Sequence, residues 1–240
     1  MNAKVILITG GTSGIGEALL QQLSTNNSVV VCGRNQTKLD QAQAKHPEAT
    51  FVQADISKQA DIDKLYQAIE QKHGHLDILI NNAGVANLQE ISEPQESMQF
   101  LDMDINFKGT VLTINTLLPL LQKSKASKPV IVNVSSILAK IPFYSMPIYS
   151  ASKAALRSYT ISLRNKLPGF LITEVLPPLV DTPMTSSFDN APKMSSADVA
   201  SQIITGIERN KTEVYPGMAR MANVMSKVAF GAISKAFNAS

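Results

Sequence analysis

The chain has 240 residues, 44% of them hydrophobic and 17% charged, with a formal net charge of +3. That length suits one domain with a full hydrophobic core rather than two large ones, and the composition excludes disordered and fibrous classes. No run of Lys or Arg would track a phosphate backbone, so nucleic acid is set aside as a partner.

The one cysteine, Cys32, lies in the apolar run VVVC, where it reads as a small buried thiol in a reducing compartment. The N-terminal MNAKVILITGG has too short an apolar run for a signal-peptide core, and no segment approaches membrane-span length. A cytoplasmic protein is expected.

Strand-like runs follow one another along the chain: VILIT (5–9), VVVC (29–32), TFVQA (50–54), LDILI (76–80), PVIVNV (129–134) and FLITEVL (170–176). Helical spacing fills the gaps, as in 62–69, where Ile62, Leu65, Tyr66 and Ile69 share a face, and in a long run from about 95 to 121. Near-continuous apolar strands alternating with helices predict a doubly wound parallel sheet covered on both faces, in a single domain over 1–216. Such a sheet binds its ligand beyond the carboxyl ends of the strands. That filter selects TGGTSGIG, GRN, ADIS, NNAG, SS and PPLVDT, each of which follows a strand.

The first of these, residues 9–16, places Gly10, Gly14 and Gly16 between a strand and a helix starting near Ile15. Glycines there let backbone N–H groups approach a pyrophosphate at the helix N-terminus. Purely steric strand-to-helix connection is the competing account. After the second strand, Arg34 is suited to clamp a ribose 2′-phosphate, which favours NADP over NAD, against a solvated surface arginine as the alternative. The glycine turn itself, Ser13 included, offers no second basic residue.

The stretch SSILAKIPFYSMPIYSASKAAL (135–156) contains two Lys/Tyr pairs at i,i+4 spacing. Pro142 interrupts the pair Lys140/Tyr144, so no helix gives those two a common face. Pro147 suits the first turn of a helix that puts Tyr149 and Lys153 one turn apart on one face. A phenol titrates near 10 and needs a neighbouring ammonium to serve as a base, which Lys153 is placed to supply. Ser136, thirteen residues before Tyr149 at the end of the fifth strand, is expected to share the substrate oxygen with the phenol. Ser135 should point the other way.

These motifs together resemble the short-chain dehydrogenase/reductase family, in its compact single-domain branch. They are TGGTSGIG, Asp55 in ADIS, NNAG, Asn106 in DINFKG, Ser136 in NVSS, YSASK (149–153) and PPLVDT (177–182). The segment EVLPPLVDT also looks like the subgroup named from the D-alanyl-lipoteichoic-acid operon of Gram-positive bacteria. The resemblance implies a Rossmann-like sheet, a nicotinamide dinucleotide and hydride transfer between a carbonyl and an alcohol carbon. It also implies a homodimer or homotetramer. The catalytic set becomes Asn106, Ser136, Tyr149 and Lys153, with Asn106 supporting a proton-relaying water and Lys153 holding the nicotinamide ribose. The cofactor set becomes Gly10, Thr12, Ser13, Gly14, Ile15, Gly16, Arg34, Asp55, Asn82, Tyr149, Lys153, Val180 and Thr182. Within it, Asp55 contacts the adenine, Asn82 lies beside the adenosine ribose, and Val180 with Thr182 holds the carboxamide. One departure is Pro177-Pro178 where the family usually has Pro-Gly, which stiffens the segment and removes an amide donor.

Ile137, Leu138, Ala139, Ile141, Phe143, Tyr144, Met184 and Phe188 are expected to line the substrate side, which favours an aliphatic or aromatic carbonyl over a sugar phosphate. Residues 217–240 read as an amphipathic helical extension, with Met221, Val224, Met225, Val228, Ile233 and Phe237 apolar. It would pack on the domain or a partner subunit, touch a membrane surface, or cap the substrate. His46, His73 and His75 read as solvated loop residues without metal-ligand spacing. A catalytically silent dinucleotide sensor or scaffold of the same fold is the alternative to an enzyme.

Overall fold

The computed structural model describes residues 1–88, 100–188 and 191–238. Residues 95–99 of the expected long helix therefore lie outside the described residues. Seven parallel strands form one sheet in the order β3-β2-β1-β4-β5-β6-β7. They are β1 (Val5–Thr9), β2 (Ser28–Gly33), β3 (Thr50–Gln53), β4 (Ile78–Asn81), β5 (Val130–Val134), β6 (Leu171–Val175) and β7 (Glu213–Val214). The seventh strand has only two residues, too short to leave an alternation in the sequence.

Along β1, side chains alternate between two apolar layers, as period-two geometry requires. Ile6 and Ile8 join one layer with Leu19, Leu20 and Ile203, drawn from α1 (Gly14–Leu23) and α7 (Ser196–Glu208). Leu39 of α2 (Gln36–Lys45) belongs to the same layer. Val5 and Leu7 join the other with Leu65, Leu117 and Leu163. Those come from α3 (Gln59–His73), α5 (Thr110–Gln122) and α6 (Pro147–Lys166). Each such side chain fully withdrawn from water contributes about 1.5–3 kcal/mol, so the two layers clamp the sheet between them. Cys32 is buried in the second layer, where desolvation pushes its thiol up to about 12 and leaves it unreactive.

The strand order reverses between β1 and β4, which start crossovers to opposite sides. A crevice opens there at the carboxyl ends. The chain's final described segments are α8 (Ala219–Val228) and α9 (Phe230–Phe237), two helices where the sequence reads as one. Together with Ile137 and Ile141, their residues Ala219, Ala222 and Ile233 make a third, small apolar cluster. Met221, Val224, Met225 and Val228 do not pack there and stay exposed, because α8 rests on the domain through its alanines.

The histidines also differ from expectation. His75 is buried with Nε2 3.5 Å from Asp77, and Nε2 of His73 is buried without a partner. The turn into β4 is folded inward to bring Asp77 under the amides of Val5, Lys125 and Ala126, and the histidines go with it.

Candidate active site

Six loops meet around a cleft of about 540 Å³ at the carboxyl ends of the strands. One half is built almost entirely of backbone. Gly10 and Gly14 have φ of +67° and +56°, in the left-handed region open to glycine. A Cβ on Gly10 would press on Ala83, one on Gly14 would lie 2.8 Å from the Thr182 methyl, and one on Gly16 would lie 2.3 Å from the Gly10 carbonyl. The first turn of α1 receives no side-chain cap from Ser13, so its orphan amides face the cleft as a ready anion site. Asn82 fixes this turn, donating from Nδ2 to the carbonyls of Thr9 (3.0 Å) and Gly10 (3.1 Å).

Every residue of the expected cofactor set lines the cleft except Gly16, which packs behind it. Arg34 and Asp55 lie at the far end from Ser136, Tyr149 and Lys153, and Lys38 lines the cleft with them. This lysine supplies the second positive charge that the glycine turn lacks. In the sequence it reads only as a surface lysine of α2, and its placement comes from the Asn35 side chain accepting its amide and starting that helix. The Asp55 carboxylate accepts from the amide (3.0 Å) and hydroxyl (2.7 Å) of Ser57, which shapes the floor.

At the near end stand Ser136, Tyr149 and Lys153, all lining the cleft. Pro147 occupies the first turn of α6, and Tyr149 and Lys153 follow one turn apart, with Nζ 5.6 Å from the phenol ring centroid. Nζ also donates to the Val134 carbonyl at 2.9 Å, which ties it to the end of β5. Ser136 lies beyond that strand, which stops at Val134. Strand alternation therefore does not separate the two serines. Ser135 is not turned away: it too lines the cleft, its hydroxyl donating to the Lys153 carbonyl at 3.3 Å.

The titration of the pair departs from the sequence expectation. Burial pushes Tyr149 up to about 12, with the Ser136 hydroxyl pulling down and Asp102 pushing up. Burial brings Lys153 down to about 8, with Asp102 opposing. Desolvation dominates, so the Tyr149 phenol keeps its proton near neutrality. Asp102, fully buried and held by the Asn87 amide at 2.8 Å, is a charge that motif reading missed. It sits in DMDINFKG beside an expected residue, and only burial reveals it.

Asn106 lies in a π-helical turn, Asp104–Gly109, between α4 (Leu101–Met103) and α5. Such insertions recur at functional sites. Its amide accepts from the Val85 N–H (2.8 Å) and donates to the Val85 carbonyl (2.9 Å) and the Ser152 hydroxyl (3.0 Å). A Cβ on Gly84 would lie 3.0 Å from Asn106 Oδ1 and 3.5 Å from Lys153 Nζ, so that glycine makes room for both. Asn106 does not line the cleft; its hydrogen bonds hold Val85 and Ser152. Ser152, inside YSASK, links it to the Tyr149 carbonyl at 2.7 Å.

Of the residues expected around the substrate, Ile137, Leu138, Phe143, Met184 and Phe188 line the cleft. Ala139, Ile141 and Tyr144 do not. Ile141 is fully buried in the third cluster, and Tyr144 is 68% exposed, because the loop is drawn toward the C-terminal helices and turns that ring outward.

The molecule is similar over nearly its whole length to known proteins. The family model described as short chain dehydrogenase matches residues 4–193. An uncharacterized oxidoreductase of Staphylococcus epidermidis is 33% identical over 207 residues, covering 84% of this chain and 89% of the relative. The oxidoreductase DltE of Bacillus subtilis is 30% identical over 225 residues, covering 89% of this chain and 88% of its own, in line with the subgroup likeness of EVLPPLVDT. Among solved structures, a short chain dehydrogenase from Burkholderia cenocepacia in complex with NADP superposes with a TM-score of 0.86. It is 26% identical and covers 98% of both chains. A 3-ketoacyl-(acyl-carrier-protein) reductase from Brucella melitensis complexed with NADH gives 0.82 at 26% identity, covering 91% of this chain and 99% of its own. With its motifs converging on one cleft and its family model matched from residue 4 to 193, the chain belongs to the short chain dehydrogenase family and is an oxidoreductase of that class.

Proposed function

We propose that the protein interconverts a carbonyl and a secondary alcohol using NADP(H), with Tyr149 as the general acid in the reducing direction. The observation that carries this reading is the convergence of Ser136, Tyr149 and Lys153 at one end of a cleft whose other end is a glycine cradle with two cations. A silent dinucleotide sensor has no need of the first group.

The cradle fits a dinucleotide: close backbone approach at Gly10 and Gly14, free amides at the start of α1, and Arg34 with Lys38 where a 2′-phosphate would be recognised. When bound, the reduced nicotinamide supplies a hydride to the carbonyl carbon. Tyr149 donates its phenolic proton to the substrate oxygen, and Ser136 donates a hydrogen bond to the same oxygen. Lys153, cationic below about 8, stabilises the negative charge that grows on the phenol oxygen as its proton leaves. Asn106 and Ser152 keep α6 in register, and Arg157 clamps it from the other side through Glu174 and Glu213. Assembly as a homodimer or homotetramer in the cytoplasm belongs to the same reading.

Tyr149→Phe removes the proton donor without touching the cradle. Carbonyl-dependent NADPH oxidation should fall by about 10² to 10⁴-fold, far more than any change in the NADPH Kd, because the ring of the cofactor-set residue is kept. Turnover within threefold of wild type would remove Tyr149 from the role.

A further inference from the structure

The loop from Ile137 to Met146 lost its claim to chemistry when Pro142 separated Lys140 from Tyr144, yet its residues are not idle. Lys140 Nζ donates to the Tyr215 hydroxyl at 2.6 Å and to Asn223 Oδ1, and lies 4.9 Å from the Tyr215 ring centroid. Asn223 belongs to α8, so this lysine fastens the loop to the C-terminal helices. Asn238, just past α9, closes the other side. Its Oδ1 accepts the Tyr144 amide at 2.7 Å, and its Nδ2 donates to the Pro142 carbonyl at 3.2 Å and the Ser234 carbonyl at 2.8 Å. Ile137, Ile141, Ala219, Ala222 and Ile233 fill the space between.

The product of this fastening is a side chain from the far end of the chain inside the cleft. Phe237, the last residue of α9, lines it alongside Leu138, Phe143 and Phe188. The last two rings meet edge to face at 6.3 Å between centroids. Apart from Lys153, no charged side chain among the described lining residues stands at this end; Arg34, Lys38 and Asp55 all belong to the other. An apolar wall with a polar pair at its base accommodates a carbonyl group carried on a hydrophobic body, with the oxygen at Tyr149 and the body against the rings.

Resting on the carbonyl-reducing function proposed above, we infer that Phe237 is a specificity-determining residue: the chain's own C-terminal helix closes the substrate end and selects apolar, aryl- or branched-alkyl carbonyls by size. Hydrophobic pockets discriminate steeply for so little material, since a single methylene changes selectivity about 10-fold or more.

The experiment uses the full chain with F237A and F237W, butane-2,3-dione as the small carbonyl and 1-phenylpropane-1,2-dione as the bulky one. F237A should raise the bulky-to-small ratio of kcat/KM by about tenfold, and F237W should lower it, with the NADPH Kd and thermal midpoint of each within error of wild type. Ratios within twofold of wild type in a folded F237W protein overturn the inference, even where F237A fails to fold. A readout independent of turnover is available because the chain contains no tryptophan, so F237W introduces a single indole that can be excited apart from the tyrosines. Titrating 1-phenylpropane-1,2-dione into F237W with NADP bound should shift its emission. An emission shift without turnover in any form of the protein overturns the carbonyl-reduction reading but keeps Phe237 at the substrate. No shift with turnover intact overturns the placement of Phe237 alone.

Discussion

The two ends of the cleft are made of different material. The cofactor end is backbone: glycines that let chain approach chain, amides at the start of α1, and Asn82 pinning the turn through two carbonyls. The end proposed for the substrate is side chains: Leu138, Phe143, Phe188 and Phe237, drawn from two loops and a C-terminal helix nearly a hundred residues apart. Backbone geometry admits few sequences, and so it recognises the part of the reaction that does not vary. A wall of apolar side chains tolerates exchange, so one fold can carry many substrates on one cradle.

If the division is real, damage to one end leaves the other working. The largest effect should follow Gly16→Val, whose side chain would be driven into the Gly10 carbonyl and Asn82. NADPH binding should weaken by about 100-fold, with a stability loss of roughly 1–3 kcal/mol from the overpacked turn, measured by titration and urea unfolding. An unchanged NADPH Kd in that variant would show that the turn does not hold the cofactor.

A smaller effect belongs to Tyr149 and Lys153. Burial holds Lys153 down to about 8 and Tyr149 up to about 12, so between these values the phenol keeps its proton while the ammonium is lost. For carbonyl reduction, kcat/KM should be level below about pH 8 and fall by about tenfold per unit above it. Lys153→Arg keeps its charge throughout and should move that limb up by more than one unit. A profile flat from pH 7 to 10 in wild type would remove Lys153 from the rate.

The smallest separates cofactors. Arg34→Asp should raise the NADPH Kd by about tenfold, as loss of a charge-assisted bond requires, and lower that for NADH. Equal effects on both would return Arg34 to the role of a surface residue.

The same division explains what the sequence disclosed. Gly10, Gly14, Tyr149 and Lys153 were legible because local geometry demands them: positive φ at the glycines, and Pro147 starting the helix that aligns the pair. Strands β1, β2, β4, β5 and β6 appeared as apolar runs because both their faces are buried, whereas the edge strand β3 is only partly covered and showed through its β-branched and aromatic residues. β7 did not, since two residues carry no period. Phe237 was legible only as an apolar position of an extension with substrate capping among its three roles, and Lys38 and Asp102 were hidden for a different reason. Lys38 owes its place to the start of α2 and Asp102 to burial, and each reads in isolation as an ordinary lysine or aspartate. The rise of the Tyr149 pKa was hidden likewise, since spacing reveals a neighbouring charge but not the water both groups lose.

Isotope transfer tests the central claim most directly. With NADPH carrying deuterium at both positions of nicotinamide C4 and 1-phenylpropane-1,2-dione as the carbonyl, wild-type protein should yield an alcohol bearing one deuterium on its carbinol carbon. Y149F, saturated with the same NADPH, should yield almost none. An alcohol without deuterium, or equal yields from the two proteins, would contradict the account.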